Sequence, residues 1–397
     1  MSSSPILRLS EVKSRNMLSI LRFLVQRDHM SRAELALALG CDSTTVSRAT
    51  RELLDRGLLH YCGKTAVVHG RPREILCLDS ARHCNLGLAF DRESITAVLT
   101  TLRGETKGAV TRQLPSGCSR EDFVGALLAT AKPLLAQVKG TLTGIGIAAN
   151  GTVTADGVLL DVSHFPELEG LPLKQICEQA FGSQPLVVDP LPCQLQRYLM
   201  FREADRQKNT LYILAGTEIG MGVAMDGTVV GKHQHHAGEF GHNNYEPDGL
   251  LCTCGRRGCL ETRCSTGALT ARLHRCFNYD VDFNAVCQLA RSRHELVMLE
   301  VASVANLLGT AIANQVNNLY PDHLIIAGQL PALGQEFQDI LIRNIRGQLF
   351  PAAAEGLSID CLETDQTTSA TGAALLVTAR LLDDITFLDQ VCPPQPS

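Results

Sequence analysis

The sequence predicts an α/β protein that carries a winged helix-turn-helix at its N-terminus. Three observations lead there. From about residue 82 onward, buried-type strand runs alternate with helical runs. Before that point, two short helical segments flank a tight turn. Charge is also divided unevenly. Residues 1–75 carry 12 Lys+Arg against 7 Asp+Glu, a net of +5, while the remainder carries a net of −10. A basic head on an acidic body suits a polyanionic partner at the head. The expected domains are a head over 1–80 and a body over 81–397.

Composition sets outer limits. Hydrophobic residues make up 45% of the 397 and charged residues 19%, ordinary for a globular chain with a full core. No apolar run reaches the roughly 20 residues of a membrane-spanning helix. The start, MSSSPILRLSEVKSRN, lacks the basic-then-apolar layout of a secretion signal. A cytoplasmic protein without membrane contact is expected. The 15 cysteines are odd in number and scattered, so most are expected as reduced thiols rather than a disulfide framework.

In the head, residues 12–27 place Met17, Leu18, Ile20, Leu21, Phe23, Leu24 and Val25 on a broad apolar helical face. SRAELALALG follows, with Ser31 and Glu34 at capping-box spacing and Gly40 at a left-handed stop. Ser43 or Asp42 caps the next helix, STTVSRATRELLDRG. Its Val46, Ala49, Leu53 and Leu54 face inward. Ser43, Thr44, Thr45, Ser47, Arg48 and Arg51 are left for a major groove, small residues permitting approach and arginines reaching bases or phosphates. LLHYCGKTAVVHGRPREILCL then reads as two strands around a cationic tip with Lys64, Arg71 and Arg73. Gly-Arg-Pro-Arg is extended and suits a narrow minor groove, though a charged hairpin tip is its ordinary alternative. Double-stranded operator DNA is the expected partner.

In the body, CNLGLAF, SITAVLTTL, LTGIGIAANG, QPLVVD, TLYILAG, MGVAMDG and HLIIAG read as strands. Helices are expected over REDFVGALLATAKPLLAQV, near 193–206, at about 296–318 and over TGAALLVTARLL. Within GEFGHNNYEPDGLLCTCGRRGCLE, His242, Cys252, Cys254 and Cys259 form H-x9-C-x-C-x4-C. Three thiolates and an imidazole are the ligand set of a closed, structural zinc site, with no open position for a reacting water. Gly249, Gly255 and Gly258 allow the turns that converge the sulfurs. Cys264 is a spare thiol, not counted as a ligand.

These motifs resemble the ROK family of repressors and sugar kinases, in its N-acetylglucosamine- and xylose-repressor branch. The resemblance runs through RNMLSILRFLV, SRAELALALG, TVSRATRELLDRGLL, GRPR, GIGIAANGTV, GTEIGMGVAMDG and HAGEFGH…CTCGRRGCLE. It implies a two-lobed actin-like (hexokinase-type) body, with lobes at roughly 81–190 plus the C-terminal helix and 191–380. It also implies a sugar or sugar-phosphate effector bound between lobes and a homodimer or homotetramer. By the same resemblance Glu239, His242 and Glu261 hydrogen-bond sugar hydroxyls, for which carboxylates are suited as acceptors. The resemblance also sets His164 of DVSHFPELEG at a sugar-binding Asn of the family, and implies that Asn150 of AANGTV lies in a loop near the cleft.

Against that pattern, the kinase signature is broken in three places. NLGLAFDRESITAV lacks the Asp-x-Gly-Gly-Thr turn that cradles phosphate. After PLVVD, Leu191 stands where the family's catalytic Asp should be and Pro190 replaces its Asn, unless the register shifts to recruit Asp189. GTEIGMG places Glu218 where a glycine is expected beside polyphosphate. The expectation is a sugar-responsive repressor of carbohydrate genes that is not an enzyme. The alternatives are an active sugar kinase with a regulatory head, or a repressor controlled by a protein partner.

Overall fold

The computed structural model describes residues 9–64, 72–91, 93–115, 117–149, 151–154, 156–160, 162, 165–201, 208–230 and 238–394. The head begins with α1 (Leu9–Arg27), where Met17, Ile20, Leu21, Leu24 and Val25 are each at most 1% exposed. Their three-and-four spacing makes one apolar stripe. A three-residue strand, β1 (His29–Ser31), leads into α2 (Arg32–Leu39). Ser31 and Glu34 form the reciprocal capping box, and Gly40 ends α2 at φ +62°. Asp42, not Ser43, caps α3 (Ser43–Asp55), accepting from the Thr45 N–H at 2.8 Å. The wing strands β2 (Leu59–Lys64) and β3 (Glu74–Leu78) pair antiparallel, and β1 adds to the other edge of β3. That third strand carries too little pattern in HMS to be read from sequence.

The body contains β4 (His83–Phe90), β5 (Ser94–Thr101), β6 (Thr106–Gln113), α4 (Arg120–Leu135) and β7 (Thr141–Ala148). Next come β8 (Thr152–Val153), β9 (Leu159–Leu160), α5 (Leu173–Phe181), β10 (Leu186–Val188) and α6 (Pro190–Phe201). Then follow β11 (Thr210–Ala215), β12 (Ile219–Met225), β13 (Thr228–Val229), α7 (Glu261–Cys264), α8 (Thr266–Phe277), α9 (Phe283–Arg291) and α10 (Glu295–Leu319). The chain closes with β14 (His323–Gly328), α11 (Gln335–Gly347), α12 (Pro351–Ala354), β15 (Ser358–Glu363), α13 (Gln366–Asp383) and α14 (Ile385–Val391).

Two compact units result. The first takes Met1–Ala148, Pro172–Val187 and Ala370–Ser397, the second Ala149–Leu171 and Val188–Ser369. The head thus groups with the first sheet and the C-terminal helices, and 149–171 groups with the second unit, a division that linear sequence did not display. The first unit's sheet has the order β10-β7-β4-β5-β6 and the second's β13-β12-β11-β14-β15. Each is an antiparallel meander of three strands extended by two later strands beyond its first member, with the first later strand parallel to it. The order is the same in both sheets, so the body is built on one repeated plan.

In the first unit, α13 packs so tightly on the sheet that a Cβ on Gly87 would lie 1.8 Å from the Ala370 carbonyl oxygen. The head is tied to the same unit by ion pairs of Arg56 with Asp389 and Arg22 with Asp383, and by His83 Nε2 to the Gly57 carbonyl at 2.9 Å. In the second unit, α10 buries Val297, Val301, Val304, Leu308 and Ile312 in the core. It has the length and apolarity of a membrane span, but those residues face protein. Helix α6 starts three residues before the expected 193 because Pro190 fits the first helical position, its missing N–H costing nothing there.

Candidate metal centre and nucleic-acid interface

The metal-ligand cluster is assembled by close backbone approach. A Cβ on Gly238 would lie 2.0 Å from the Met221 carbonyl oxygen, and one on Gly241 2.2 Å from that of Ile219. Only glycines let GEFGH lie flat along β12, which sets Glu239 and His242 beside that strand. The loop then folds on itself through Asn244 paired with Cys259 and Leu251 paired with Arg257. Gly255 (φ +82°) and Gly258 (φ +75°) turn the chain where side chains would strain it.

His242, Cys252, Cys254 and Cys259 converge so that one ligand atom of each lies within 4.8 Å of the others. Cys254 and Cys259 sulfurs are 3.6 Å apart, and Cys252 Sγ is 3.5 Å from His242 Nδ1. Zinc bond lengths in a tetrahedron require edges of about 3.8 Å between sulfurs and about 3.5 Å between sulfur and nitrogen. The four residues therefore fit such an ion with little adjustment. Despite burial, which opposes the thiolate, donation from the Arg256 backbone and side chain holds the Cys254 thiol below its ordinary range. Cys264 lies apart, fully buried in the second unit's core.

Three carboxylates lie near this knot. Glu239 Oε2 is 3.6 Å from His242 Nε2, the ring nitrogen opposite the one facing Cys252. Glu261 is buried, and its Oε2 accepts from the Ile219 N–H at 3.0 Å. Asp189 is the carboxylate that a register shift was to recruit. It keeps partial surface exposure but is densely surrounded by protein, and it accepts from the Leu191 N–H at 2.9 Å. Burial pushes its pKa up to about 6, and the charge of Glu239 adds to the shift. Between about 3.9, the unfolded value, and about 6, the folded protein binds the extra proton. Stability is therefore full below that window and falls as pH rises through it. Asp189→Asn removes this loss. Urea titrations from about pH 4 to pH 7 are expected to show the variant gaining about 2 kcal/mol over the parent. A constant difference across that range would show that Asp189 titrates normally.

Leu191 points its methyl groups at Gly220 and Gly222 of β12, 2.6 and 2.3 Å from where Cβ atoms there would sit. An apolar side chain thus covers the strand face at the start of α6. At the β4–β5 turn, the Asp91 carboxylate accepts from the N–H groups of Glu93 and Ser94 at 2.7 and 2.8 Å. Those donors are satisfied internally and do not form an open phosphate cradle.

In the head, α3 exposes Ser43, Thr44, Arg48 and Arg51, with Ser47 half-buried. Thr45 is also half-buried and donates its hydroxyl to Asp42 at 2.7 Å, so it helps cap the helix. Lys64, the last residue of β2, faces Glu74 on β3, and Arg73 directly precedes that strand; Lys64 and Arg73 are both exposed. Arg71, Asn150 and His164 lie outside the described residues. Sequence reading passed over Arg32. Its Nε donates to Thr50 on α3 at 3.0 Å, its guanidinium donates to the Tyr61 hydroxyl on β2, and it pairs with Glu74 on β3 at 3.6 Å. One side chain thereby joins α3 to both wing strands; no local sequence signal marks it.

Comparisons with known proteins agree with this architecture. The xylose repressor of Caldicellulosiruptor bescii is 22% identical over 389 residues, covering 94% of this chain and 97% of its own. A solved ROK family transcriptional regulator, described as a homologue of the Escherichia coli Mlc protein, superposes with a TM-score of 0.79 at 23% identity, over 96% of this chain and 99% of that one. The ROK hexokinase of Thermus thermophilus superposes with a TM-score of 0.63 at 22% identity, over 76% of this chain and all of its own. The body is thus of the actin-like (hexokinase) type. The ROK family profile matches residues 86–380, which takes in both five-stranded sheets but for the first three residues of β4, and the whole cysteine-histidine knot, and the chain belongs to the ROK family.

Proposed function

We propose that the chain is a sugar-responsive DNA-binding transcriptional repressor of carbohydrate-metabolism genes, working in the cytoplasm as a homo-oligomer. The observation that carries this reading is the head. A capped second helix presents Thr44, Arg48 and Arg51 outward beside a wing bearing Lys64 and Arg73. Small polar and arginine side chains on a helix of that kind suit major-groove contact, and the wing bases suit phosphates. The names of relatives such as the xylose repressor support it.

Structural zinc is the ion proposed for His242, Cys252, Cys254 and Cys259. When bound, it clamps the loop and offers no open coordination position. Glu239 and Glu261, beside the clamp, are proposed to accept hydrogen bonds from sugar hydroxyls, with His242 Nε2 held by Glu239. Asn150 and His164 remain proposals for the same ligand. Effector binding favours the conformation that grips DNA poorly, and only a difference in affinity between the two conformations can do so.

Phosphotransfer is not part of the proposal. Leu191 cannot accept a proton, and at the β4–β5 turn the Glu93 and Ser94 N–H groups are taken up by Asp91. A thermal-shift screen of hexoses, amino sugars and their phosphates tests the effector reading. At a ligand concentration about 100 times its Kd, roughly 2.7 kcal/mol of stabilisation is expected, lost on Glu239→Ala. ATP turnover with any of these sugars would overturn the non-enzymatic reading. A second reading, control by a protein partner, is favoured by Leu250 and Leu251, both more than half exposed beside Cys252. Calorimetry without a heat of sugar binding would move the balance to it.

A further inference from the structure

Thirteen of the fifteen cysteines are free thiols, but Cys62 and Cys77 are joined. The joined pair lies in the wing. Cys62 sits where β2 slips register between Tyr61 and Gly63, and Cys77 lies on β3 with the two Cα atoms 6.0 Å apart. That spacing is within ordinary disulfide reach. Cys62 is exposed and Cys77 half-buried, so small redox reagents have access.

The metal knot supplies the contrast. Cys254 and Cys259 have sulfurs 3.6 Å apart and stay unjoined. Holding a metal requires them as thiolates, and surroundings that keep them so also reduce an exposed disulfide.

The pair is also wired to the recognition helix. Tyr61 directly precedes Cys62, and its hydroxyl accepts from Arg32. Arg32 in turn reaches Thr50 on α3 and Glu74 on β3, the strand that carries Cys77. The two strands that the disulfide joins are therefore the two that Arg32 fastens to the helix.

On the repressor reading given above, we propose that Cys62 and Cys77 form a reversible oxidation site that sets the wing's grip on DNA. The oxidant is a peroxide or a low-molecular-weight disulfide. With hydrogen peroxide, the Cys62 thiolate attacks one oxygen, the O–O bond breaks, and a sulfenic acid forms as hydroxide leaves. The Cys77 thiolate then attacks that sulfur, the S–O bond breaks, and a second hydroxide leaves as the S–S bond closes. The two thiols give up two electrons and two protons, and the peroxide becomes two waters. A dithiol reverses the step by exchange through a mixed disulfide. The cross-linked hairpin has fewer conformations to lose on docking, so the oxidised form binds DNA more tightly.

The test uses the full chain and a duplex that it selects from a random-sequence pool. Affinity is measured after a phosphine reductant and after hydrogen peroxide or glutathione disulfide. Alkylation and mass spectrometry follow Cys62 and Cys77, and a zinc dye follows metal release. The oxidised protein is expected to bind about tenfold more tightly. Cys62→Ser and Cys77→Ser are expected to stay at the reduced affinity under either oxidant while melting like the reduced parent. Equal affinities with the bond shown to open and close would overturn the proposal, as would thiols that stay unjoined until zinc is released. If neither form holds a duplex, the DNA-binding reading fails and takes the switch with it. If the purified protein carries no metal, the zinc reading fails alone and the affinity ratio still decides the switch.

Discussion

Cys259→Ser, or prolonged dialysis against a chelator, is expected to unfold the metal loop and lower the melting midpoint by about 10 °C. Structural zinc sites contribute on the order of 10 kcal/mol in small peptides. Here the metal loop is one segment packed on an already folded unit, so a loss of about 4 kcal/mol is expected, which corresponds to that shift for a unit of this size. Cys259 is 1% exposed and shares a strand pairing with Asn244, so its sulfur cannot be replaced by a water-facing group. Effector stabilisation should vanish in the same variant, because His242 anchors Glu239. Cys264→Ser is the control: it buries a hydroxyl in the core and costs about 1–2 kcal/mol without loss of metal. Calorimetry with elemental analysis of zinc measures both. An unchanged midpoint in metal-free protein would remove the metal from the account of stability.

Arg48→Ala with Arg51→Ala is expected to weaken operator binding by about a hundredfold or more at moderate salt. Each arginine is exposed on the face of α3 turned away from the buried Val46, Ala49 and Leu53, so melting should not change. If both neutralise phosphates, the slope of log affinity against log salt falls by about two. If one reads a base edge, selectivity between operator and random duplex falls instead. Fluorescence anisotropy across a salt series separates these outcomes. Unchanged affinity and slope would mean that another face of the head meets DNA.

The features legible in sequence share a local origin. The stripe of α1, the Ser31–Glu34 box and the Gly40 stop are each set by residues a few positions apart. So is the cysteine spacing of the knot, whose convergence the structure bears out atom by atom. Strands β4, β5, β7 and β11 read clearly because both faces are buried and their residues are apolar. Strand β6, TKGAVTRQ, was missed because it lies at a sheet edge with most side chains in solvent. Strand β15, SIDCLE, is likewise an edge strand with no fully buried residue.

By itself, then, the sequence determined the helix-turn-helix, the α/β succession and which four His and Cys side chains converge in the knot, because caps, periodicity and residue spacing act over short stretches of chain. Tertiary structure alone decided that the head joins the first sheet, that Arg32 links helix to wing, that Asp189 is surrounded by protein, and that Cys62 meets Cys77. Each of these depends on residues far apart in sequence whose meeting is set by how sheets and helices pack, and no local pattern encodes that distance.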